Sequence, residues 1–254
     1  SYPLSLTCFN SFQVAFRSLR FTLPTRQYAV RRVEFDAWLL QRSGAPLAQH
    51  RVQEIQAADG GYALDGLYWG RYLVGAGGTH CPVRAALFSA APRPADALIA
   101  AMEQEFPYPV RDPRCHLWFL QNGLPGYAWY VPKQGGYLNV GIGGAARALQ
   151  HSGTSLRQHW DRLVQKLDEM GLVRGHAFKP AGHSYYLRRP SGPLRLGNAL
   201  LVGDSAGLST LDMGEGIGPA VQSGMLAAEA IQNGGPYSLD SIPRYSLWSL
   251  LLDK

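Results

Sequence analysis

The alternation of apolar and polar positions dominates the first thirty residues, as in "FQVAFRSLRFTL", and it predicts a strand that leads into a helix. The segment "YAVRRVEFDAWLLQRS" then changes period, placing Phe35, Leu39 and Leu40 at helical spacing. "RVQEIQAADGGYALDGLYWGRYLVGAGG" reads as three short strands with turns at Asp59-Gly60-Gly61 and Asp65-Gly66, the last strand ending at Gly75. From about 89 to 192 the texture is aromatic, with strand runs in "HLWFLQNG" and "GYAWYVPKQGGYLNVGIGG" and one helix around "SLRQHWDRLVQKLDEMGL". Residues 193–254 return to strand, loop and helix. Four apolar residues before Gly203 read as a buried strand of a parallel sheet. The helix that starts near Pro219 is expected to carry Val221, Met225 and Ala228 on one face. The "APRPADA" stretch near residue 91 is the candidate linker.

Composition narrows the class. With 254 residues, 46% apolar and 17% charged, the chain can bury a real core in one large domain or two smaller ones. The net charge of +6 comes from scattered lysines and arginines, which argues against nucleic acid as a partner. Cys8, Cys81 and Cys115 are odd in number and show no paired spacing, and the seven histidines show no metal pattern, so no metal site is expected. No stretch has the ~18 uninterrupted apolar residues of a spanning helix. The expectation is a soluble cytoplasmic protein, with peripheral membrane contact and oligomeric state left open.

The residues richest in chemical meaning lie between 200 and 231. Asp204 follows a buried strand, at the end where open α/β sheets bind ligands. Gly214, Gly216 and Gly218 then strip side chains from a loop, and Pro219 suits the first turn of a helix. A flat or phosphorylated ligand could approach that backbone closely. A helix cap is the plainer role for Asp204.

Four segments, in order across residues 31–231, carry a resemblance. "RRVEFDAWL" resembles R-x-x-F-D-x-x-L, "LVGAGGTHCPVR" a second glycine motif usually written G-A-D-G, "GYAWYVPK" the motif Y-x-W-x-F-P-K, and "LLVGDSAG" with "GEGIGPAVQSG" a closing flavin motif. These belong to FAD-dependent oxidoreductases of the geranylgeranyl reductase type, within the group that includes p-hydroxybenzoate hydroxylase. The resemblance implies FAD as cofactor, with Asp204 on its ribityl chain, Gly203, Gly214, Gly216, Ile217 and Gly218 at the ring, and Arg32 as a further flavin contact. Otherwise Arg32 is an ordinary surface arginine. It also implies that Tyr127, Trp129 and Pro132 face a small hydrophobic substrate, where an aromatic strand in a core is the alternative. Cys81 reads first as a small buried thiol and second as a cofactor neighbour. No nucleophilic triad stands out, so no catalytic side chain is assigned.

The implied fold is mixed α/β: an FAD-binding domain with a parallel sheet (1–88 and 193–254) and an antiparallel-sheet substrate domain (89–192). The family's G-x-G-x-x-G strand-turn-helix unit is absent from residues 1–60, so an amino-terminal βαβ unit is expected to be missing and the FAD-binding domain incomplete. "LVGAGGTHCPVR" as the dinucleotide fingerprint is the weaker alternative, because His80 stands at its third glycine. Gly77 occupies the usual aspartate position of G-A-D-G, which leaves NAD(P)H as electron donor in question. The function implied is reduction of isoprenoid double bonds. Aromatic hydroxylation or halogenation on the same scaffold, and a non-catalytic lipid-binding remnant, are the rivals.

Overall fold

The structure is a computed structural model that describes residues 2–4, 6–190 and 192–246. In chain order its elements are β1 (Thr7–Phe16), β2 (Leu19–Ala29), α1 (Arg32–Ser43), β3 (Ile55–Ala58), β4 (Gly61–Leu64), β5 (Tyr68–Gly70), β6 (Leu73–Gly75) and α2 (Pro82–Leu87). There follow β7 (Leu98–Pro107), β8 (Cys115–Phe119), β9 (Gly126–Lys133), β10 (Tyr137–Ala145), α3 (Ala146–Ser152) and α4 (Leu156–Glu169). The last are β11 (Ala181–Tyr186), β12 (Arg195–Leu196), β13 (Ala199–Leu201) and α5 (Ile217–Asn233). No helix among the described residues is long and apolar enough to cross a membrane.

The chain forms two compact units. The first contains the described residues up to Leu47 and those of Ile99–His183, and the second those of Ala48–Leu98 and from Ser184 onward. This division runs differently from the expected boundaries at 88/89 and 192/193, the described residues up to Leu47 lying in the first unit. The cause is one ladder: β1 pairs in parallel with β8, with Phe12 opposite Cys115 and Phe16 opposite Phe119. The proline-rich segment before the boundary is no loose linker, since Ala97 is buried and Leu187 N–H donates to its carbonyl.

The first unit is built on a seven-stranded sheet in the order β11-β7-β10-β9-β8-β1-β2. The two-residue period decides its faces. In β9, Ala128, Tyr130 and Pro132 are buried while Tyr127, Trp129, Val131 and Lys133 are only half-buried. The buried side meets Trp160, Leu163 and Leu167 of α4 in a core with Leu138, Val140 and Ile142. That helix starts where a sequence reader would place it. Ser155 accepts from Gln158 N–H and the Gln158 side chain returns to Ser155 N–H, closing a capping box.

The second unit has two small sheets. The β3-β4-β5 meander turns at Asp59-Gly60 and Asp65-Gly66, all four with positive φ, which suits the primed turns of tight hairpins. In the sheet ordered β12-β13-β6, β13 runs parallel to β6 with Leu201 opposite Gly75. Ala199, Leu200 and Leu201 are completely buried, as their uninterrupted apolar run predicts for a strand covered on both faces. Helix α5 departs from expectation. Its buried residues are Pro219, Ser223, Ala227 and Ala230, whereas Val221 is 36% and Met225 68% exposed, and Ala228 is exposed too. Close approach selects the small residues: Gly203 N–H donates to Ser223 Oγ at 2.9 Å, and a Cβ on Gly203 would lie 3.2 Å from Ala220 Cβ.

Candidate cofactor site in the second unit

The carboxyl ends of β6 and β13 lie side by side, and the chain turns sharply after each. After β13, Gly203 takes φ +57°, a conformation that suits glycine, and opens the single 3-10 turn Gly203–Ser205. Ser205 is fully buried, and its one hydroxyl proton is shared between the carbonyls of Val202 (2.6 Å) and Gly75, tying the two strand ends together. Asp204 is thereby left half-buried at the mouth, with Ser209 Oγ 3.4 Å from Oδ1.

The glycine loop closes on this acid. A Cβ on Gly216 would lie 3.3 Å from Asp204 Oδ1 and 3.2 Å from Ser209 Oγ, and one on Gly214 only 2.5 Å from Tyr185 Oη. Helix α5 then begins at Ile217 with no side-chain cap. Its first N–H groups have no intrahelical partner, and its dipole presents partial positive charge there. An acid that accepts from hydroxyls thus sits beside a bare backbone that donates N–H groups. This pairing fits the ribityl chain and ring edge of a flavin.

Two arginines that the sequence reading did not single out build the floor. Arg84, itself buried, donates to the carbonyls of Ser205 (3.3 Å) and Ala91 (2.9 Å). Arg93 donates to the carbonyls of Asp204 (3.4 Å) and Thr79 (2.6 Å), and its guanidinium lies 3.8 Å from the centre of the Tyr186 ring. Burial pushes both guanidinium groups down from their ordinary range. The available signal for Arg84 was its place at the end of "THCPVR", and for Arg93 its position between two prolines. Cys81 is buried, and a Cβ on Gly75 would lie 3.0 Å from its Sγ, so it packs behind the strand. At Gly77 a Cβ would stand 3.2 Å from Cys81 Cα and from Pro82 Cδ, a tight fit for any side chain.

The structure brings Gly203, Asp204, Gly214, Gly216, Ile217 and Gly218 together in this unit, while the other predicted residues belong to the first unit. There Arg32 is exposed and pairs with Asp36 at 2.9 Å, one helical turn away. Its neighbour Arg31 turns inward, donating to Glu105 at 2.9 Å and lying 3.4 Å over the Tyr137 ring. Tyr127 and Trp129 share a face, with ring centres 5.5 Å apart, and Tyr127 stacks on Phe119 at 5.0 Å. Trp129 Nε1 donates to Asn139 Oδ1 at 2.6 Å, and Asn139 Nδ2 to Glu103 at 3.3 Å. Pro132 falls on the opposite, core-facing side of β9, because it is an odd number of residues away.

Parallel strands with an acid and a glycine loop at their carboxyl ends, and a large, mostly antiparallel sheet elsewhere in the chain, give a fold shared with solved flavin-dependent enzymes. The solved structures agree. A geranylgeranyl bacteriochlorophyll reductase-like protein of Thermoplasma acidophilum superposes with TM-score 0.70 at 23% identity, covering 92% of this chain and 64% of that one. A flavin-dependent brominase gives 0.68 at 15% identity, covering 96% and 67%. In sequence, part of the chain is similar to proteins named as reductases. It is 32% identical over 124 residues to a digeranylgeranylglycerophospholipid reductase of Thermoplasma volcanium, 47% of this chain and 30% of the relative. It is also 33% identical over 118 residues to a menaquinone reductase of Mycolicibacterium smegmatis, 44% of this chain and 27% of the relative. The matches therefore span about a third of the length of these curated relatives. No family model matches.

Proposed function

We propose that this chain carries the flavin-ring end and the substrate-facing sheet of an FAD-dependent oxidoreductase that reduces double bonds in an isoprenoid lipid. The observation that carries the reading is Asp204, set at the carboxyl end of β13 against Gly216 of the glycine loop. Asp204 would accept from the ribityl hydroxyls, and the uncapped start of α5 would hold the ring edge and favour negative charge there. FAD, when bound, supplies the electron pair for the reduction. The protein's part is position and electrostatics. The half-buried side of β9, with Tyr127, Trp129 and neighbouring Phe119, offers an aromatic surface to a hydrophobic chain. Reduction is preferred to hydroxylation or halogenation because the relatives similar in sequence are named reductases, whereas the brominase shares 15% identity.

Residues 1–60 hold no G-x-G-x-x-G unit to receive a pyrophosphate. The 254 residues should therefore bind riboflavin and FAD with similar, weak affinity, because the ADP half gains nothing here. Titrating both, following flavin fluorescence, tests this. Binding of neither flavin overturns the reading. FAD binding at micromolar affinity, far tighter than riboflavin, would place the phosphates on another segment, most naturally the turn at Gly75–Gly78.

A further inference from the structure

The first unit contains a polar hollow that the proposed redox chemistry does not use. Helix α4 aligns His159, Arg162, Leu163 and Lys166 on one side at helical spacing, above Trp118 of β8, Ala128 of β9 and Ile142 of β10. Between them is a cavity of about 30 Å³. A water needs roughly 10–15 Å³ by this measure, so two oxygen atoms fit side by side.

Its lining is unusual for a core. His159 is 4% exposed, and its Nε2 is buried with no hydrogen-bond partner among the described residues. Native proteins rarely leave such an atom unmet, and an orphan calls for an occupant. The charges facing the hollow are cationic. Arg162 commits one of its N–H groups to the carbonyl of Asn122 at 3.1 Å, and Lys166 Nζ donates to Gln121 Oε1 while sitting 5.3 Å over the Trp118 ring. Burial and nearby Arg20 hold the Lys166 ammonium below its ordinary range, partly offset by Glu169. No carboxylate among the described residues lines the cavity. The rim is held in an uncommon conformation, with φ of +50° at Leu120 and +53° at Asn122, which turns Gln121 and the Asn122 carbonyl toward α4.

We infer that this hollow is a binding site for a small carboxylate, whose two oxygens are met by His159 Nε2–H and the Arg162 and Lys166 cations and whose short apolar stem lies on Trp118 and Leu124. A charge-assisted pair of this kind satisfies the orphaned nitrogen and neutralises the clustered cations in one step. Arg162 is exposed and Lys166 half-buried, so the two cations reach the hollow from its open side, and a bound water would satisfy the nitrogen alone.

Proton and nitrogen NMR of the full 254-residue chain, isotope-labelled at histidine and assigned through His159→Gln, decides the matter. Acetate should shift the His159 imidazole signals saturably, with half-saturation on the order of 1 mM. His116 and His176 should stay in place. Sodium chloride and methylammonium chloride at equal ionic strength should leave all three unmoved. Arg162→Gln and Lys166→Gln should each raise the half-saturation concentration about tenfold or more, and Lys166→Arg should retain most of the wild-type response. A His159 signal indifferent to acetate, as for a hollow that holds only water, overturns the inference. So does one that moves equally with chloride, which would make the site a general anion pocket.

Discussion

Gly141 and Gly143 lie two residues apart on β10, yet a methyl group would meet different surroundings at each. At Gly141 an added Cβ would fall 2.1 Å from Trp129 Cζ2, inside the indole; at Gly143 its nearest neighbours stand at 3.7 Å. Gly141→Ala should therefore force the Trp129 ring out of place and destabilise the first unit by about 1–3 kcal/mol, as overpacking does. Gly143→Ala should be tolerated. Urea unfolding with tryptophan emission as the probe separates the two, and equal stability would mean that the indole is not held as described. For Asp204→Ala, removing the acceptor for buried hydroxyl donors predicts a loss of about 1–3 kcal/mol in flavin affinity, read by fluorescence quenching. An unchanged dissociation constant would remove Asp204 from the site. Asp204 and its glycines could be read from sequence because local backbone chemistry carries their signal. Arg93 is harder to read, because its partners at Thr79 and Asp204 are distant in the chain and the two flanking prolines do not reveal them.

Among the elements, those with strong local punctuation matched expectation. The capping box of α4 and the aspartate-glycine turns of the meander act over four residues or fewer, so sequence alone suffices to place them. Ser155→Ala should cost about 0.5–2 kcal/mol of stability, with a matching drop in the urea midpoint. Helix α5 departs from its apolar pattern because hydrophobicity and burial separate there. Its Val221 and Met225 are the larger apolar residues, but the tight seat beside Gly203 admits only the stripe of Pro219, Ser223 and Ala227. Met225→Gln should accordingly change stability by no more than about 0.5 kcal/mol, as exposed positions do. Ala227→Leu should destabilise by about 1–3 kcal/mol, and the reverse ranking in thermal unfolding would restore the original reading of the faces.

Across the whole molecule, acid sensitivity follows from three histidines of the first unit. Burial holds His116, His159 and His176 below the ordinary histidine value, Arg162 adding to the effect at His159, while at His116 Asp112 opposes the shift. All three are therefore favoured in the neutral form when folded, whereas the unfolded chain takes up protons first as pH drops. Their contribution is fully present above about pH 6.5 and drains away as pH falls through that value toward the lower folded ones. Asp112, held down by Arg114 and then His116, loses its contribution only below about pH 4. The thermal midpoint should thus fall by several degrees between pH 7.5 and 5.5 at constant ionic strength, measured by circular dichroism. A midpoint that stays level or rises over that range would show that the three rings are open to water in the folded protein.

The parallel ladder between β1 and β8 also sets an order of events during synthesis. Phe12 waits for Cys115, about a hundred residues later, and the intervening Ala48–Leu98 belongs to the other unit, which itself needs strand β13 for completion. At roughly 5–20 residues per second, the β1–β2 hairpin spends on the order of 5–20 s outside the ribosome with one edge unpaired. Exposed Phe16, Leu19 and Phe21 on that hairpin make it an evident client for a chaperone that recognises extended apolar segments. Neither unit can finish while the chain is half made, so the two are completed late and nearly together.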